Sequence, residues 1–85
     1  MKQELPELFH RLDEEASARV RRWATEHGLT ERLCLRNVVY PEALAAFQAH
    51  GGTTTPALWS GGRLFSGAEL IIARLQALLD LGRSD

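Results

Sequence analysis

The chain has 85 residues, 45% of them hydrophobic and 25% charged, with ten basic residues against eleven acidic ones and a formal net charge of -1. That balance describes one small globular domain spanning 1–85 and gives no broad attraction to nucleic acid or anionic membrane. The single cysteine, Cys34, excludes an internal disulfide, no Cys/His cluster has zinc-site spacing, and no apolar run approaches the ~20 residues of a membrane span. The opening "MKQELPELF" is acidic and lacks an apolar stretch of signal-peptide length, so a cytoplasmic location is expected.

Residues "ELFHRL", Glu7 to Leu12, alternate loosely after Pro6 and predict a short strand. Asp13 suits the N-cap of a helix running to about His27, with Ala16, Val20, Trp23, Ala24 and His27 on its buried face and Gly28 as its stop. Glu15 with Arg19, and Arg22 with Glu26, are spaced as i,i+4 ion pairs on the outer faces. "ERLCLRNVV", Glu31 to Val39, predicts a second strand with Leu33 and Leu35 on one face and Cys34 and Arg36 on the other. A strand–helix–strand order implies parallel pairing through a right-handed crossover.

Pro41 fits the first turn of a second helix, "PEALAAFQAH", anchored by Leu44 and Phe47 and stopped at Gly51. After Pro56, "ALW" and "RLF" flank a Gly61-Gly62 turn suited to a tight hairpin. Ser66 and Glu69 are spaced as a capping box for a last helix ending near Leu81, with Ala68, Ile71, Ile72, Leu75, Leu78 and Leu79 as its core stripe and Gly82 as its stop. The order is α/β: β-α-β-α-β-β-α, with one parallel pair and one hairpin, closing into a four-stranded mixed sheet.

That order, at this length, resembles the thioredoxin-like fold of glutaredoxins and of the N-terminal domain of glutathione transferases, a three-layer α/β/α arrangement. The resemblance covers about Glu7 to Leu81, and its most specific part is "GGTTTPALWSGGRLFSG". It implies a cis proline at Pro56, a Thr55 backbone that receives the cysteine portion of glutathione or of a peptide, and a carboxylate site at the N–H groups of Gly67 and Ala68 beside Ser66. A helix N-terminus, with its unsatisfied donors and partial positive charge, suits a carboxylate on physical grounds alone.

The family's nucleophile is a cysteine at the start of the first helix, in a Cys-x-x-Cys or Cys-x-x-Ser motif. Here "LDEEASARV" places Glu14 at the first position and Ser17 at the second. The spacing persists and the sulfur does not, and a carboxylate cannot exchange disulfides. Cys34 lies one helix further on, in a strand pattern that predicts a cysteine packed against the sheet as a small hydrophobe; the functional alternative is an exposed regulatory thiol, glutathionylated or joined to a second chain.

Glu14 is a candidate base or partner-selecting charge, or simply a first-turn acid favouring the helix dipole. Ser17 is a candidate thiol-activating hydroxyl of the transferase kind, or a capping or solvated serine. His27 and His50, each before a helix-ending glycine, suit the negative end of a helix dipole. His10 reads as a satisfied, half-buried histidine without a Ser or Cys partner. Arginines in "ARVRRW" form a solvated helix face.

The resulting expectation is a glutaredoxin-like protein without the active-site cysteine, acting as a non-redox binding or interaction module with a retained thiol-peptide groove. The alternative is a residual glutathione-dependent oxidoreductase or transferase using Cys34 or Ser17. No catalytic residue, cofactor or metal is expected; glutathione, or a thiol-containing peptide or protein, is the implied ligand, and the chain is a monomer or a weak homodimer.

Overall fold

The computed structural model describes residues 5–83; residues 1–4, the start of the acidic opening segment "MKQELPELF", and residues 84–85 lie outside the described residues. Its elements in order are β1 (Glu7–His10), α1 (Glu15–Glu26), a 3₁₀ turn (Thr30–Arg32), β2 (Cys34–Asn37), α2 (Pro41–Ala49), β3 (Ala57–Ser60), β4 (Arg63–Ser66) and α3 (Ala68–Arg83). The strands form one mixed sheet in the order β2-β1-β3-β4. β1 runs parallel to β2 and antiparallel to β3, and β3 and β4 make a hairpin whose turn residues Gly61 and Gly62 both have positive φ, 61° and 77°. Only glycine takes both conformations without a steric penalty, as a two-residue type I′ turn requires.

Alternation along β1 divides the core into two layers. Leu8 joins Leu58, Val20 and Ala24 of α1, and Ile71 and Leu75 of α3, all 1% exposed or less. Phe9 points the other way, onto Ala57, Val38 and the α2 residue Phe47, with the two phenyl centroids 5.4 Å apart. Each fully buried Leu or Phe contributes about 1.5–3 kcal/mol relative to exposure. The central strand is therefore covered on both faces, by α1 and α3 on one and by α2 on the other. No helix among the described residues is long and apolar enough to cross a membrane.

Several local expectations change. β1 ends at His10, and Leu12 stands 69% exposed in the following turn. The N-cap of α1 is Glu14, in extended conformation with its carbonyl accepting from Ala18 N–H at 3.0 Å; Asp13 lies outside the helix. The buried stripe of α1 is Ser17, Val20 and Ala24, while Ala16 and Trp23 are partly buried. His27 is exposed, stacked on Trp23 with ring centroids 3.8 Å apart.

β2 is shorter than its apolar pattern because the Asn37 side chain accepts the Val39 N–H at 3.0 Å, turning the chain away from the sheet. The expected capping box is not formed. Ser66 is the last residue of β4, Gly67 (φ 93°) makes the turn, and the Gly67 carbonyl accepts from Ile71 N–H at 3.0 Å, so α3 begins one residue too late for Ser66 to cap it. Gly82 lies inside α3 rather than ending it. The helix-face pairs of Glu15 and Arg22 do not close: the ion pairs found among the described residues join Glu7 to Arg36 at 3.1 Å and to His50 at 3.8 Å.

Candidate functional site

β1, β2 and β4 run the same way and finish at the same end of the sheet, and α1, α2 and α3 all start there, because each helix follows one of those strands directly. The site forms at this end. The side chain of Glu14, the N-cap residue of α1, makes no capping hydrogen bond to its helix. Its carboxylate turns instead to two hydroxyls. Ser17 Oγ, fully buried one turn into α1, donates to Glu14 Oε1, and Thr55 Oγ1 lies 2.9 Å from Oε1 and 3.1 Å from Oε2. An ionised carboxylate only accepts, so both hydroxyls donate, and hydrogen bonds to a charged acceptor are the stronger kind. Ser17 Oγ in turn accepts the Arg11 N–H at 3.2 Å. One half-buried carboxylate thus ties the β1–α1 turn to a residue 41 positions later.

The Thr55–Pro56 peptide bond is cis. Pro56 is fully buried, and its carbonyl accepts the Gly67 N–H at 3.1 Å. This corrects one expectation: of the donors assigned to a ligand carboxylate, the Gly67 N–H already has an internal partner. Ser66 and Gly67 are exposed and Ala68 is 9% exposed, so the α3 end of the site presents Ser66 and the backbone of Gly67 to solvent. Glu14, Ser17, Thr55, Pro56 and Gly67 are brought into one connected set. Ser17 belongs to it as a buried link rather than as the capping or solvated serine expected from its place in the first helical turn.

Beneath this set lies a second polar pair that sequence reasoning missed. Arg21 Nη1 donates to the Arg11 carbonyl at 2.8 Å and lies 3.1 Å from His10 Nδ1. Because a guanidinium only donates, Nδ1 accepts and the His10 proton sits on Nε2. His10 is 6% exposed; burial, and secondarily the Arg21 charge, lower its pKa from the ordinary 6.5. The available signal was the spacing of Arg21 one turn beyond Ser17 on α1, which was masked by reading the arginines as a solvated face.

Cys34 is not where its pattern predicts. It is exposed. β2 is an edge strand, and α2 packs over Phe9 and Val38 rather than over its first residue. Cys34 is in register with Glu7, at the beginning of β1, whereas Glu14 follows the end of that strand. Three residues of strand, about 10 Å, separate those levels. The thiol therefore belongs to the opposite end of the sheet from Thr55.

His50 also serves another place: its ring stacks on Trp59 at 3.8 Å between centroids, beside Glu7. No group of three or more His, Cys, Asp or Glu side chains placed to hold a metal ion occurs among the described residues. Comparison with protein-family models, curated proteins and solved structures gave no match.

Proposed function

We propose that this chain is a thioredoxin-like domain of glutaredoxin type that has no redox sulfur, and that it works as a binding or interaction module at the Thr55–Pro56 ledge. The strand order β2-β1-β3-β4, with helices on both faces, supports the fold reading. The observation that carries the function is the Glu14 carboxylate, held by Thr55 and Ser17 at the place where that family keeps its attacking thiol. A carboxylate fixed by two donors can attract or orient a partner; it has no sulfur with which to open a disulfide. Glutathione or a thiol-containing peptide is the ligand class, met by the backbone at Thr55 and by the exposed Ser66–Gly67 turn.

The residual-enzyme reading would need Cys34 or Ser17: the exposure of Cys34 favours reactivity but its register with Glu7 sets it away from the ledge, and the Ser17 hydroxyl is fully buried with its proton given to Glu14. Two measurements test the proposal. In an amide NMR titration, glutathione and cysteine peptides should move the Thr55 and Gly67 resonances; unmoved resonances would remove the groove. A glutathione-coupled disulfide-reduction assay should give no turnover, and turnover abolished by Cys34→Ser would replace the module with an enzyme.

A further inference from the structure

A cavity of about 460 Å³ lies at the other end of the sheet. Its volume falls within the range of small-molecule sites, roughly 300–1,000 Å³. It opens between the α1–β2 connection, the β3–β4 turn and the second half of α3, and its floor is core: Leu29, Leu33 and Leu75 are buried, and Leu78 is partly so. An apolar hollow of this kind would bind hydrocarbon indiscriminately, but its polar fittings are of one sign.

Among the described residues, no acidic side chain lines it. Arg32 does, and its guanidinium has no hydrogen-bond or ion-pair partner among the described residues. Ser60, 5% exposed, also lines it; its Oγ accepts from Arg74 Nε at 3.2 Å, which leaves the hydroxyl proton to donate. The Arg74 guanidinium in turn lies over the Phe65 ring, 5.4 Å from its centroid, a contact that holds this second positive group behind Ser60. Donors and positive charge beside leucine walls select one ligand chemistry.

We propose that this cavity binds an apolar monocarboxylate, its hydrocarbon portion against Leu29, Leu33, Leu75 and Leu78 and its carboxylate received by Arg32 and Ser60. The site shares no residue with the Glu14–Thr55 ledge, so either can fail without the other.

Trp59 lines the cavity and supplies the signal. In a Trp23→Phe variant, where Trp59 is the remaining tryptophan, decanoate below its micelle-forming concentration should shift the emission saturably, and the Leu75 and Leu78 methyl resonances should move with it. Decanol should bind about tenfold more weakly, as expected for loss of a charge-assisted hydrogen bond, and decyltrimethylammonium more weakly still. Arg32→Gln should weaken decanoate by a similar factor and leave decanol unchanged; Arg32 is exposed, so the variant should fold. Equal binding of the three decyl compounds, indifference of decanoate to Arg32→Gln, or no saturable shift would overturn the proposal.

Discussion

Thr55 donates to both oxygens of the Glu14 carboxylate, at 2.9 and 3.1 Å, and so joins the start of α1 to the residue before Pro56. The contact is half-buried, so its net worth is at the lower end for a hydrogen bond to a charged group, about 1–2 kcal/mol. Thr55→Val should lower unfolding stability by about that amount. Glu14→Gln combined with Thr55→Val should cost less than the sum of the two single changes. A double-mutant cycle by urea unfolding measures the coupling, and strict additivity would mean that the two groups act independently.

Ser17 is the more sensitive position. It is fully buried, donates to Glu14 and accepts from the Arg11 N–H, so Ser17→Ala leaves the Arg11 N–H without its partner and Glu14 Oε1 with the Thr55 hydroxyl alone. The expected loss is about 1–3 kcal/mol. Ser17→Thr keeps the hydroxyl but adds a methyl group to a closed space, so it should restore only part of the loss. Thermal or chemical unfolding of the three proteins checks the ranking.

His10 makes stability depend on pH. Its folded-state pKa is lowered from 6.5, first by burial and then by Arg21, so the unfolded chain takes up the proton first as pH falls. Stability rises with pH wherever the unfolded state binds more protons. The His10 contribution is therefore constant above 6.5 and becomes destabilising below it, until the folded state protonates as well. His10→Gln, which keeps an acceptor for Arg21 and has no titrating proton, should flatten this part of the profile. Unfolding free energies of both proteins from about pH 7.5 to 5, a range that brackets the ordinary His value, decide it: parallel curves would reject the assignment.

Cys34 should be chemically accessible and energetically idle. An exposed thiol on an edge strand should react with an aromatic disulfide in the native protein at a rate close to that of the unfolded chain. Cys34→Ser should change stability by no more than about 0.5 kcal/mol. Slow native labelling would mean that the thiol is covered in solution.

Local chemistry carried much of the fold. Gly61-Gly62 between two apolar triplets specifies a hairpin because both residues must take positive φ, and Pro41 begins α2 because its missing N–H costs nothing in a first turn. Leu8 and Phe9 alternate because neighbouring strand residues face opposite layers. These signals act over two to four residues, and the sequence contains them whole.

Contacts between distant residues decided the rest. Asp13 is the N-cap favoured by local rules, yet the N-cap residue is Glu14, whose carboxylate is held by Ser17 and Thr55 instead of by the helix N–H groups. Ser66 loses its capping role because Gly67 N–H is drawn to the Pro56 carbonyl, moving the start of α3. Cys34 alternates like a buried residue, yet burial needs a neighbour on its face, and β2 is at the edge of the sheet with α2 packed elsewhere. The sequence by itself determined which residues turn, alternate or coil, since those choices depend on backbone sterics and side-chain period. Only the tertiary structure decided which polar group meets which and what an edge leaves uncovered, since both depend on residues tens of positions apart being brought within hydrogen-bond reach.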